Sequence, residues 1–208
     1  QIFTNILTEK YILLSLNLIS AKTISRMRKH LVRVISDEEI IRYVNTINQK
    51  SIEVLEVSGD RWRRLFEPNN YNSLSYPEIN IEKPIKGIKK YDLIILEHVL
   101  EHISDPKLAL LNIYNILNPN GRVIIVTPFL IKIHNSPIDC TRWSKEGLKH
   151  LLIQVGFSDK KIIIGQWGNR AAVKANFNKW VKFNPLKHSL KNEEEFPLAV
   201  WAFAQKED

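Results

Sequence analysis

Short apolar runs alternate with amphipathic stretches along most of the chain, and the two periodicities predict different elements. SIEVLEVSG, starting at Ser51, is a β-rich run broken by Gly59 and reads as a buried first strand leading into a loop. YDLIILE, starting at Tyr91, is a continuous apolar run of the kind found in the middle of a parallel sheet. Between them, YNSLSYPEINI carries two short candidate strands around Pro77. Ser36 and Glu39 have capping-box spacing, and Ile40, Ile41, Tyr43, Val44 and Ile47 share one helical side, which predicts a helix ending near Gln49. Further on, the pattern predicts a helix from Pro106 to Leu117, an NPNG turn and a strand from Arg122 to Thr127. A helix over Lys145–Val155, a strand over Lys161–Gly165, a helical stretch around Ala171–Val181 and a last strand over Leu198–Ala204 follow. Residues 1–35 alternate apolar runs with basic residues and read as an N-terminal helical extension, packed on the domain or on a partner subunit.

Strand, helix, strand alternation makes this an α/β chain with a mainly parallel sheet, right-handed crossovers and a ligand crevice at the carboxyl ends of the strands. A length of 208 residues fits one domain, 1–208. Apolar content of 44% and charged content of 25% are those of a soluble globular protein. The formal charge of +8 favours anionic partners, but its lysines and arginines are spread along the chain, so a small anionic molecule is expected ahead of nucleic acid. A lone cysteine, Cys140, offers neither an internal disulfide nor a cysteine-based zinc site. YILLSLNLIS, residues 11–20, is too short and too interrupted to span a bilayer, and no basic segment precedes it. The expectation is a cytoplasmic protein without a membrane anchor.

Four segments in order, LEVSGD, YDLIILEHVLEHISDP, LNPNGRVIIVTPF and GLKHLLIQVGF, resemble the class I S-adenosylmethionine-dependent methyltransferases from about Lys50 to the end. The resemblance implies a Rossmann-like, mainly parallel sheet flanked by helices and closed by an antiparallel last strand. It also implies S-adenosylmethionine as cofactor. YDLIILEHVLEHISDP looks like the family's fourth strand and the loop after it, which delivers its V-L-E-H segment beside the cofactor. The first loop departs from the family's E-x-G-x-G-x-G: Ser58, Asp60 and Trp62 stand where the glycines would be, and Gly59 is one position out of step. On this likeness the cofactor side consists of Glu56, Ser58, Gly59, Asp60, Glu97 and His98, with Ser75 at the ribose position.

On the acceptor side, HNSPIDCTRW (residues 134–143) follows the family's fifth strand and gathers acid, base, cation and aromatic in one loop. Deprotonating a hydroxyl acceptor needs a general base, and His134 and Asp139 are the first candidates, with His98 third. Arg142 would hold an anionic substituent, and Trp143, Trp167 and Asn169 are candidate pocket walls. The alternative for this loop is a lid whose Asp139 and Arg142 pair with each other. His98 and His102 have the spacing of two metal ligands on a helix face, but Asp105 is the only nearby carboxylate placed to complete them. A bracing role for Glu101 and His102 is preferred, and no metal is expected.

The function expected is methyl transfer to a small polar acceptor, a sugar or nucleotide-linked sugar hydroxyl among them, by a protein that forms homodimers or acts alone. Two alternatives stand beside it. The missing glycines suggest a scaffold that kept the fold without catalysis, and the charge suggests a nucleic-acid methyltransferase.

Overall fold

The computed structural model describes residues 20–87 and 89–208, so most of the apolar stretch at 11–20 and half of the N-terminal extension lie outside the described residues. Six strands form one sheet: β1 (Val54–Val57), β2 (Tyr71–Leu74), β3 (Tyr91–Glu97), β4 (Leu117–Pro128), β5 (Ile162–Trp167) and β6 (Ala199–Gln205). Their order is β2-β1-β3-β4-β6-β5. The first four run parallel, and β6 is antiparallel to both β4 and β5. This is the expected Rossmann-like α/β sheet with an antiparallel last strand.

β1 is buried at all four positions and β3 at all but Asp92, because helices and loops cover both faces of the sheet. Successive side chains point to opposite faces. Leu55, Val57, Ile94 and Leu96 pack in a layer with residues of α3 (Pro106–Asn115) and α4 (Lys145–Val155). Val54, Leu93, Ile95 and Val126 face the other layer, built with α2 (Val34–Val44), Trp62 and α5 (Arg170–Ala175). A shorter helix, α1 (Ala21–Met27), precedes them. The chain leaves β1 for the sheet edge at β2 and then crosses back to β3, so the order reverses between β1 and β3. Ligands of open α/β sheets bind at such a switch point, outside the carboxyl ends of the strands.

Several boundaries differ from the sequence expectation. The capping box at Ser36 does not form: α2 begins at Val34, and the Ser36 hydroxyl donates to the Arg33 carbonyl inside the first turn. The helix ends at Val44, short of Gln49. Of the two strands expected around Pro77 only Tyr71–Leu74 forms, since Ser75 to Ile79 close a turn. The NPNG segment lies within β4: Tyr91 pairs with Leu117 and Leu93 with Arg122, leaving residues 118–121 opposite Asp92 alone. Asn120 takes φ 59° in this bulge, and Asn118 Nδ2 donates to Asp92 at 2.7 Å. The helical stretch expected at Ala171–Val181 is the single short helix α5. Among the described residues no helix is long and apolar enough to cross a membrane.

Candidate active site

β1 and β3 are each followed by a residue with left-handed backbone. Ser58 has φ 59° and His98 has φ 56°, a conformation uncommon outside glycine and concentrated at functional sites. Backbone bonds hold both turns: Ser58 N–H donates to the Leu74 carbonyl at 2.9 Å and His98 N–H to the Val126 carbonyl at 2.8 Å. Between these turns opens a pocket of about 470 Å³. Val57, Val99 and Ile103 give it apolar walls, while Asn80, His98 and His102 bring polar atoms. Ile138, from the loop after β4, closes one side.

Behind the pocket the loop after β1 is folded around a carboxylate. Glu56 is 1% exposed. It accepts hydrogen bonds from the amides of Arg61 (3.2 Å) and Trp62 (3.1 Å) and from the Tyr71 hydroxyl. Burial, and then the bond to Glu56, pushes the Tyr71 phenol far up from its ordinary value. Gly59 rests against the same carboxylate, and Asp60 is exposed and paired with Arg63 at 2.8 Å. Glu56 and Gly59 therefore shape the loop from behind.

Glu97 and His98 are neighbours in sequence but face opposite ways. Glu97, on the face of Leu93 and Ile95, pairs with the guanidiniums of Arg33 and Arg61 and accepts from Trp62 Nε1 at 2.9 Å. Burial works to raise its pKa, but the guanidiniums of Arg33 and Arg61 outweigh it and hold the carboxyl below its ordinary range. Arg61 continues to Asp37 at 3.0 Å, and Asp37 to Lys29 at 2.7 Å. This network, with its carboxylates buried and its arginines partly exposed, ties the N-terminal helices to the switch point. Of the residues expected on the cofactor side, Ser58 and His98 line the pocket. Ser75 is an exposed turn residue whose amide donates to Glu78 at 3.3 Å, and its neighbour Tyr76 lines the pocket instead.

Opposite the cofactor turns, residues 134–143 dock on the short turn Leu100–His102. Cys140 N–H donates to the Glu101 carbonyl at 2.7 Å, and His102 Nδ1 bonds to the Ile138 carbonyl. Asp139 is bound to Arg142 through both carboxylate oxygens and accepts the His134 amide at 2.8 Å. Its pKa is lowered: burial opposes this, but the bonds from Arg142 and the His134 amide prevail. Asp139 and Arg142 thus bind each other, as in the lid-bracing alternative. What the brace delivers is His134, whose Nε2 lies 3.9 Å from Glu101 Oε1. Burial, and then the nearby His102, lowers the His134 pKa.

Glu101, expected only to brace the loop together with His102, stands at the centre of three histidines. It is fully buried, His98 Nδ1 is 3.3 Å from its Oε1 and His102 Nε2 is 3.8 Å from it. The E-H pair was legible, but its meaning depends on His134, which arrives from a distant loop. Trp143 is half-buried against the core beneath α4. Trp167 and Asn169 lie away from the pocket: Trp167 Nε1 donates to the Leu190 carbonyl at 2.9 Å, and Asn169 both caps α5 and binds the carbonyls of Ser189 and Lys191. They clamp residues 189–191 to the end of β5.

S-adenosylmethionine, the cofactor implied by the resemblance, fits the pocket. The volume lies within the roughly 300–1,000 Å³ of small-ligand sites. Ser58, which stands where the family pattern has a glycine, holds a left-handed backbone conformation that glycine adopts without strain. His98 Nε2 is buried on this wall without a hydrogen-bond partner among the described residues, an unmet polar atom of the kind a ligand satisfies.

Comparison with known proteins agrees. Residues 27–159 match the profile of a family described as "Methyltransferase domain". An 80-residue stretch, 36% of this chain, is 35% identical to "Probable polyketide synthase 10" of Dictyostelium discoideum, and the chain spans 3% of that relative's length. Among solved structures, the CurJ carbon methyltransferase is similar in fold with a TM-score of 0.54 at 14% identity, over 91% of this chain and 56% of that one. DhpI, solved as a complex with SAH, gives 0.53 at 12% identity, over 84% and 86% respectively. With the fold, the switch-point pocket and the family match in agreement, the chain belongs to the methyltransferase domain family.

Proposed function

We propose that this domain methylates a small polar acceptor, a sugar or nucleotide-linked sugar hydroxyl, bound between the pocket and residues 134–143, with His98 as the general base. The observation that carries this is the pairing of His98 with Glu101. Nδ1 of His98 lies 3.3 Å from the buried carboxylate, His98 lines the pocket, and its Nε2 has no hydrogen-bond partner among the described residues, so this nitrogen is left to accept a proton. Bound S-adenosylmethionine supplies a methyl group on a sulfonium, open to in-line attack. The chain's own part is to hold the acceptor oxygen against that methyl and to remove its proton, and a positioned base is worth about 10²–10⁴-fold. The formal charge of +8 favours an anionic substituent on the acceptor.

A second reading, favoured by the stretch shared with a polyketide synthase, makes the acceptor an activated carbon next to a carbonyl. The same imidazole would remove the carbon-bound proton. The test is transfer of labelled methyl from S-adenosylmethionine to a panel of sugars, nucleotide-sugars and β-ketoacyl thioesters. Transfer to a sugar hydroxyl that falls at least about a hundredfold in His98→Ala supports the main reading. Transfer to the thioester alone supports the second, and transfer undiminished in His98→Ala removes His98 as base.

A further inference from the structure

Glu101 is 0% exposed, and neither of its carboxylate oxygens has a hydrogen-bond partner among the described residues. A buried carboxylate left in that state is strongly unfavourable, so a positive charge is expected beside it. Three imidazoles surround it, and the ligand atoms of Glu101, His102 and His134 lie within 4.8 Å of one another. We propose that Glu101, His102 and His134 bind one divalent first-row transition ion at the acceptor end of the pocket.

The geometry of the imidazoles supports a metal over a chain of hydrogen bonds. His102 Nδ1 donates to the Ile138 carbonyl, which fixes the tautomer and leaves the lone pair on Nε2, 3.8 Å from Glu101 Oε1. A backbone carbonyl on the far nitrogen is the usual support of a metal-bound histidine. His134 Nε2 stands 3.9 Å from the same oxygen, and its loop is fixed by the Cys140 amide on the Glu101 carbonyl and by Asp139 on its own amide. Ligand atoms about 2.0–2.2 Å from a tetrahedral ion are roughly 3.3–3.6 Å apart, so a few tenths of an ångström bring each imidazole to Glu101, and the two imidazoles, within 4.8 Å of each other, close by about 1 Å at most to complete the site. Two imidazoles and one carboxylate suit zinc, cobalt, iron or manganese, whereas magnesium and calcium prefer all-oxygen sets.

Three protein ligands leave coordination positions open. His102 lines the pocket, so an acceptor oxygen entering there reaches the ion, and an acceptor with two neighbouring oxygens would chelate it. His98 stays beside the site as the pocket-facing imidazole. The ion site does not require the methyl-transfer reading, and its test is separate.

The tag-free chain, stripped with chelator, is titrated with Co²⁺ and followed by visible d–d absorption and calorimetry. The expected result is one saturable Co²⁺ per chain. Affinity should fall at least about tenfold in His134→Ala and in Glu101→Gln and stay unchanged in His150→Ala, whose residue is exposed on α4. Because Glu101→Gln alters a buried group, circular dichroism checks its fold, and the half-buried His134 supplies the variant that decides. No saturable Co²⁺ binding, or equal affinity in His134→Ala, overturns the site. S-adenosylhomocysteine titrated into the same samples reports on the cofactor pocket alone: its binding without Co²⁺ binding overturns only the ion site, and Co²⁺ binding without it supports the ion site and counts against the proposed function.

Discussion

Gly59 lies directly over the carboxylate of Glu56, so that a Cβ added there would stand 2.2 Å from Glu56 Oε1. That oxygen belongs to the group holding the amides of Arg61 and Trp62, and it has no room to retreat from them. Gly59→Val is therefore expected to destabilise the chain by about 1–3 kcal/mol, as overpacking of a filled site does. Were Gly59 only a close-approach residue for the cofactor, Gly59→Val would instead weaken cofactor binding with the fold nearly intact. Denaturant unfolding distinguishes the two, and a midpoint equal to wild type would mean that Glu56 is not seated under Gly59.

Glu97→Gln removes the charge shared by Arg33 and Arg61 but keeps an acceptor for Trp62 Nε1. Both arginines retain access to water, so the expected loss is moderate, about 1–3 kcal/mol. Glu97 faces away from the pocket, and S-adenosylhomocysteine affinity should stay within about threefold, less than 1 kcal/mol. A collapse of affinity in a stable variant would return Glu97 to the cofactor side.

What was legible in the sequence was local. The buried run at β3 and the helix Lys145–Val155 were read at their observed positions because a continuous apolar run and an amphipathic stretch are signals carried by neighbouring residues. The NPNG segment carried a true turn signal, but its pairing with Asp92 depends on a neighbouring strand, so it became a bulge inside a longer ladder. At the site, His98 was readable as the residue past a central strand. That Glu97 turns the other way needed Arg33 and Arg61, and that Glu101 anchors the acceptor side needed His134, all distant in sequence.

Asp139 and Arg142 bind each other and, through the His134 amide, hold the loop in place. Their roles are shared, so Asp139→Ala, Arg142→Ala and the double variant should lose similar stability, with a coupling energy of about 0.5–3 kcal/mol in a double-mutant cycle. Additive losses would show that the two act apart. Asp139→Asn should leave the pH profile of methyl transfer unchanged, whereas an Asp acting as base would lose its limb.

His188 Nδ1 accepts the Asn184 amide at 3.0 Å, a bond that requires the neutral ring. Burial, and then Lys187, lowers its pKa below the ordinary histidine value. The folded state thus binds fewer protons than the unfolded state near that value. This contribution to stability is fully present above about pH 6.5 and is lost as pH falls through the lower folded pKa. His188→Asn keeps a side-chain acceptor without the titration. Between about pH 7.5 and about pH 5.5, wild type should lose more stability than this variant. Parallel curves would remove His188 from the acid response.

The measurement closest to the central claim is a calorimetric titration of S-adenosylhomocysteine into wild type and into Ile103→Trp, which fills the pocket from a half-buried wall position. The expected result is one saturable site per chain in wild type and its loss in a folded Ile103→Trp. A folded wild-type chain that gives no saturable heat, or an Ile103→Trp that binds equally well, would contradict the assignment of the switch-point pocket as the cofactor site.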